Sequence, residues 1–283
     1  MLKQRIITAL LLLVILLPAL FAEKPEPFVF LSLILIAAGA WEWGRLNGLG
    51  RWASIASGAL SLLVCSALWF WGVVLLPWPV MWLVAGSAWV LLGAWMLQRG
   101  VAGWSQWSVA WRWSLGLVAL CLAWLAIAQA RWQGANFLLS VLALVWAADV
   151  FAYFAGRAWG GRFFKVKLAP FISPGKTWEG VVGGMVGVML LSLAWMQADR
   201  YFEFSVTSFH SRLWHQGWWL WLAALVFMTA MSVVGDLVES LIKRSAGVKD
   251  SSGLLPGHGG VLDRVDALLP TLPLAMMLMS WTS

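Results

Sequence analysis

The chain has 283 residues, of which 62% are hydrophobic and only 11% charged. Soluble domains are roughly half apolar, so this composition excludes a water-soluble globular protein and points to a membrane protein. A formal net charge of +7 would suit a nucleic-acid partner, but the basic residues are placed by membrane topology and no nucleic-acid partner is expected.

Apolar runs long enough to cross a hydrocarbon core recur at about 5–22, 28–48, 53–75, 78–98, 111–130, 135–156, 179–198, 217–243 and 265–282. They are continuous rather than alternating, which favours helices over a β-barrel. The expected fold class is all-α: a polytopic integral membrane protein of about nine transmembrane helices. Lys3 and Arg5 precede the first run. That run is longer than a signal-peptide core and has the large Leu20 near its end, so it reads as an uncleaved anchor. With the N-terminus cytoplasmic, most of the 19 Lys and Arg residues fall on the cytoplasmic side, and only Lys24, Arg131, Arg200 and Arg212 fall outside. The positive-inside rule thus supports this orientation, with a periplasmic C-terminus, and implies the bacterial inner membrane. Many of the 24 tryptophans stand near span ends, as interfacial anchors do. Cys65 and Cys121 lie within apolar runs and show no metal or disulfide spacing.

One membrane domain is expected, with residues 1–134 as a scaffold of about five helices and residues 135–283 as the catalytic region. In the scaffold, Glu42 and Arg45 are spaced to pair on one helical face. The catalytic region carries two polar cytoplasmic loops, 157–178 and 244–264. The outer loop from Asp199 to Gln216 reads as solvated surface.

At the end of the eighth span Asp236, Glu239, Ser240 and Lys243 share a helical face, which should meet water or a partner because charge inside hydrocarbon is costly. The following segment carries Arg244, Lys249, Asp250, Ser251, Ser252, His258, Asp263, Arg264 and Asp266. Lys and Arg bind phosphate oxygens, and carboxylates hold a hard cation such as Mg²⁺ that neutralises the same oxygens. Gly257, Gly259 and Gly260 let backbone N–H groups approach an anion. Asp263 and Asp266, three apart, are placed to share a metal, although acids at a helix start need no such role. His258 suits a turn, a phosphate contact or acid work alike. In the sixth span Asp149, Tyr153, Gly156 and Arg157 form a polar face leading into the first loop. There Ser173, Lys176 and Thr177 read as a helix cap with a phosphate-reaching lysine, not as a P-loop, since Pro170 replaces the first glycine and no strand precedes it.

These two loops resemble the phosphatidate cytidylyltransferases, the CDP-diacylglycerol synthases. The resemblance runs through Ser240, Lys243, Arg244, Lys249, Asp250, Leu255-Pro256-Gly257-His258-Gly259-Gly260, Asp263, Arg264 and Asp266, and upstream through Asp149, Tyr153, Gly156 and the Ser173–Gly180 motif. Val150 stands where that family often has Ser or Thr, and Ser252 where glycine is common. The resemblance implies that CTP and phosphatidic acid become CDP-diacylglycerol and pyrophosphate, with Mg²⁺, in a homodimer. It implies Asp250, Asp263 and Asp266 as metal ligands, with Asp149 and Asp236 as further ligands. Lys176, Lys243, Arg244, Lys249 and Arg264 would grip phosphates, and Ser240 and His258 would complete the pocket. The alternatives are another CTP-dependent lipid-phosphate transferase or lipid kinase, or a cation-coupled transporter relaying through Asp149, Asp236 and Glu239.

Overall fold

The computed structural model describes residues 2–280, with no side-chain description at positions 2, 3 and 5. The topological role read for Lys3 and Arg5, and the end of the last expected span at 281 and 282, lie outside the described residues.

Among the described residues every regular element is a helix. In chain order they are α1 (Leu2–Phe21), α2 (Glu26–Leu46), α3 (Arg51–Phe70), a 3₁₀ turn (Val73–Leu75), α4 (Pro79–Ser105), α5 (Val109–Gln133), α6 (Ala135–Trp159), α7 (Trp178–Phe202), α8 (Phe209–Gln216), α9 (Trp218–Ser245), α10 (Leu262–Val265) and α11 (Leu268–Ser280). The 7 helices α2 to α7 and α9 are long and apolar enough to cross a membrane. The other two expected spans are represented by α1, whose apolar stretch is Ile6–Phe21, and by α11.

Local chemistry sets the breaks. Pro79 opens α4, where its missing N–H is not needed. Gly100 interrupts the same helix at φ +67°, a conformation that glycine adopts without strain, and so ends the straight part of the span. Ser108 and Thr177 cap α5 and α7 by accepting from Trp111 N and Gly180 N. Of the last span only α11 is a long helix, and it is the buried axis of the bundle: Leu272, Leu274 and Ala275 are almost inaccessible, and it packs on α4, α5 and α9. It starts after Asp266, and Gly235 of α9 lets the Asp266 carbonyl and Pro270 approach closely.

The most extensive helix pair is α6 against α7. Gly180, Gly183, Gly184 and Gly187 recur at small-residue spacing, and a Cβ at Gly184 would stand 2.9 Å from the Ala148 carbonyl. Close backbone approach of this kind replaces the hydrophobic drive that lipid removes.

Two expectations are corrected. Glu42 does not pair with Arg45: Arg45 stacks over the Trp41 ring at 4.9 Å, and Glu42 is fully buried in other company. The outer loop is not merely solvated. It forms α8, whose Phe209, His210 and Leu213 are buried, and Asp199 accepts bonds from Asn136, Ser208 and Ser211. Burial pushes the His210 imidazole down to about 4, so it is neutral at physiological pH. The outward polar spacing concealed an apolar stripe on a short helix.

Gly184→Leu should force α6 and α7 apart and cost about 1–3 kcal/mol, the usual penalty of overpacking. The check is the thermal midpoint of detergent-solubilised protein, which should fall, while an exposed replacement such as Val186→Leu on the same helix leaves it unchanged.

Candidate active site

The two polar loops meet at one end of the bundle, where α6 ends, α7 begins and α9 ends. The link is an ion pair: Lys176 Nζ of the first loop lies 2.6 Å from Asp236 Oδ2 of α9. Ser240, one turn further along α9, donates to the other Asp236 oxygen at 3.2 Å. Asp149 of α6 and Asp266 after α10 lie within electrostatic reach of Asp236, so three like charges converge there. Asp266 Oδ1 also accepts from Ala267 N at 2.7 Å.

Lys243 is bracketed by two carboxylates, Glu239 one turn back and Asp263 Oδ1 at 2.6 Å. The second Asp263 oxygen accepts from Ser251 N (2.9 Å), Ser251 Oγ (2.9 Å) and Gly260 N (2.8 Å). Burial alone would raise the Asp263 acid, but Lys243 and the Gly260 and Ser251 N–H groups outweigh it and hold the carboxyl below its ordinary range. Asp263 therefore organises the second loop, and the Gly260 N–H is occupied by it. Asp263 and Asp266 both lie near Glu239 and Lys243, but only Asp263 bonds Lys243, while Asp266 also faces Asp236 and Asp149.

A second carboxylate does the same work from the scaffold. Glu42 of α2 accepts from Ser252 Oγ, Val261 N and Leu262 N at 2.6–2.9 Å, and shares the one Ser251 hydroxyl proton with Asp263 at 3.0 Å. A side chain at Gly260 would collide with it, which explains why glycine stands there. Ser252, a departure from the family pattern, supplies the shortest of the four bonds, 2.6 Å. Thr8 of α1 adds a bond to the Pro256 carbonyl at 2.9 Å. Glu179 plays the equivalent part in the first loop, accepting from Phe163 N and Phe164 N at 3.0 Å. Sequence reasoning missed Glu42 because its partners are more than two hundred residues away. Its only signal was a carboxylate near the end of an apolar span.

The remaining expected residues take these positions. Leu255 to His258 forms a tight turn closed by His258 N to the Leu255 carbonyl at 2.8 Å, with Pro256 and then Gly257 at φ +76° in its centre. Gly259, at φ +79°, passes so close to Asp263 that a Cβ would be 2.6 Å from its Oδ2. His258 is half-buried, and its Nδ1 has no partner among the described residues. Asp250, Lys249 and Arg264 are exposed at the loop surface, and Arg244 donates to the Val248 carbonyl. Ser173 closes a bridge with Ala169. Thr177 is the helix cap that its spacing predicts.

The donor set fits a hard divalent cation. Among the described residues Asp149, Asp236, Glu239, Asp263 and Asp266 face two half-buried lysines, Lys176 and Lys243, so a polyanionic ligand would be helped by additional positive charge. Among the described residues no three acidic, histidine or cysteine groups are gathered tightly enough to hold an ion alone. Mg²⁺ commonly takes only one or two carboxylates and completes its shell with substrate phosphates and water.

The amides of Ser251 and Gly260 should stay protected from hydrogen exchange at neutral pH and lose protection only as pH falls through the depressed Asp263 value, below the ordinary carboxylate range. Glu42→Gln should accelerate exchange at Val261 and Leu262 by roughly tenfold or more, since a charge-assisted bond is worth about 1.5–3 kcal/mol. Unchanged exchange at those amides would show that Glu42 does not hold the loop.

The model of the cytidylyltransferase family matches residues 3–282. A phosphatidate cytidylyltransferase of Pseudomonas aeruginosa is 40% identical over 281 residues, covering 96% of this chain and 95% of that protein. One from Haemophilus influenzae is 34% identical, covering 96% of both chains. One from Brucella abortus is 35% identical, covering 95% of this chain and 89% of the other.

Proposed function

The chain belongs to the cytidylyltransferase family, and we propose that it transfers the cytidylyl group of CTP to phosphatidic acid, giving CDP-diacylglycerol and pyrophosphate. It is a membrane-embedded nucleotidyltransferase of phospholipid synthesis. The observation that carries the reading is that α9 holds both phosphate-suited loops, the first through Lys176–Asp236 and the second through Lys243–Asp263.

In the reaction an oxygen of the lipid phosphate attacks the α-phosphorus of CTP, and the bond to the β-phosphate oxygen breaks in line as pyrophosphate leaves. The attacking phosphate is already anionic, so no strong base is required. Lys176 and Lys243, poised between carboxylates, donate to phosphate oxygens as these arrive. Lys249, Arg244 and Arg264 at the rim draw the nucleotide in, and Ser240 and His258 add neutral hydrogen-bonding capacity. Gly257 and Gly259 keep the turn close-fitting, and Ser173 and Thr177 set the approach of Lys176. Asp236, Asp266 and Asp149 are the carboxylates suited to hold Mg²⁺, with Asp250 at the loop surface and Asp263 fixing the loop behind them. When bound, Mg²⁺ would offset the charge of the triphosphate and of the departing pyrophosphate.

The site end is assigned to the cytoplasm, where CTP is available, because the basic residues concentrate there. With about nine crossings, the N-terminus is cytoplasmic and the C-terminus periplasmic in the bacterial inner membrane. A homodimer follows from the family resemblance. A transporter reading gains no support, since the converging carboxylates are tied into phosphate-suited loops rather than spread along a midplane path.

With CTP labelled at the α-phosphate, Mg²⁺ and phosphatidic acid, label should enter a chloroform-soluble liponucleotide, whereas label at the γ-phosphate should not. Lys176→Ala should lower kcat/KM by roughly 100-fold or more, as for loss of one preorganised charge stabiliser. In Asp236→Asn protein, Mn²⁺ binding followed by electron paramagnetic resonance in the presence of CTP should weaken; full retention would remove Asp236 from the metal set. A cysteine at position 258 reactive only from the periplasm would refute the orientation.

A further inference from the structure

Helices α4 and α5 are joined by residues 106–108 but diverge: α4 packs on α9 and α11, and α5 on α2, α11 and α6. The gap between them is an apolar cavity of about 150 Å³, reached by Trp43, Trp104 and Leu115 at the site end and touching Glu239 and Leu262. Glu239 is the partner of Lys243, and Leu262 precedes Asp263, so this cavity opens directly behind the phosphate-binding residues. Val118 and Leu122 of α5 line it and also line a second apolar cleft of about 480 Å³ between α3 and α5 that continues to Leu125 and Trp78. The two form one groove along α5, and from Leu115 to Leu125 that path is about 15 Å long. This is close to the length of a dozen methylenes. Its mouth is open sideways, where Val118 is 57% exposed on a helix that crosses the membrane.

Trp104 supplies an independent observation. It is 3% exposed, it lines the upper end of the groove, and its indole N–H has no partner among the described residues. A buried donor without an acceptor is costly and is satisfied when a ligand brings one. Tryptophan offers an apolar body with one hydrogen-bonding edge, which suits the ester carbonyl that joins a fatty chain to glycerol.

We infer that the groove between α4 and α5, continuing between α3 and α5, holds one acyl chain of the lipid phosphate substrate, with its ester carbonyl on Trp104 Nε1. The inference rests on the lipid-phosphate reading above and adds where the chain lies and what selects its length. The groove guides one chain from the bilayer to Lys243, while the nucleotide enters from the aqueous side.

The test fills the far half of the groove. Val64 of α3 is 39% exposed and lines the second cleft beside Cys121, so Val64→Trp adds bulk into open space rather than into packed core. A dihexanoyl phosphatidate ends before that point, whereas a dipalmitoyl chain must pass it. The variant should raise KM for the dipalmitoyl substrate by roughly tenfold or more, from the lost burial of two or more methylenes, and leave the dihexanoyl KM unchanged. Equal KM values to the unaltered protein with both lipids would overturn the groove assignment and leave the activity intact. Absence of liponucleotide from the unaltered protein would instead refute the functional reading. Independently of any variant, a phosphatidate carrying a mid-chain diazirine should label α3, α4 or α5 on irradiation. Excess phosphatidate should compete for that labelling and phosphatidylglycerol should not. Labelling confined to other helices, or displaced equally by both lipids, would mean ordinary bilayer lipid and overturn the proposal.

Discussion

A polar loop folded against the end of a membrane bundle meets a constraint that soluble loops escape. Each backbone N–H turned away from water must find an acceptor, or its desolvation destabilises the loop by an amount comparable to a whole hydrogen bond. The second loop meets it with two carboxylates. Glu42 takes the Val261 and Leu262 N–H groups with the Ser251 and Ser252 hydroxyls, and Asp263 takes the Ser251 and Gly260 N–H groups. The start of α10 and the strandless loop before it are thereby fixed without regular secondary structure, and Lys243 is held in position by the same Asp263. Remove the acceptors and the loop residues around Lys243 lose their geometry. Glu179 repeats the solution for Phe163 and Phe164 in the first loop, so both halves of the site hang from buried acids at helix ends.

That arrangement sets the electrostatics. Acids needed for architecture are also negative charges, and among the described residues two lysines, Lys176 and Lys243, pair with them. Asp263 and Glu239 leave little free charge on Lys243, and Asp236 leaves little on Lys176. A polyanion entering here would meet lysines whose charge is already largely balanced by carboxylates.

Much of this was legible in the sequence, for identifiable reasons. Continuous apolar runs report helices because lipid allows little else, and the α6 and α9 boundaries fall within a few residues of the expected ones. Glycine and proline at 256–260 announced the turn, and Thr177 the cap. The acidic partners were harder. Glu42 acts across more than two hundred residues, and an i to i+3 spacing with Arg45 offered a nearer and incorrect explanation. Asp263 and Asp266 sit one helical step apart, yet α10 ends between them and only Asp263 takes the loop N–H groups. The stripe of α8 was obscured because Ser208, His210 and Ser211 look polar in sequence but are buried against Asp199 and α6.

The scaffold half is consequently more than a support. Glu42 and Thr8 make α1 and α2 part of the loop architecture, and Trp43, beside Glu42, bonds to the α5 backbone and lines the α4–α5 groove. One turn of α2 thus touches both the loop proposed to bind phosphate and the path proposed for the acyl chain. A reaction between a water-soluble nucleotide and a membrane-bound lipid needs a polar chamber and an apolar channel that share a wall rigid enough to keep their two occupants in line. Glu42 and Trp43 form part of that wall. Their adjacency explains why the site is built across both halves of the chain rather than within the last helices alone.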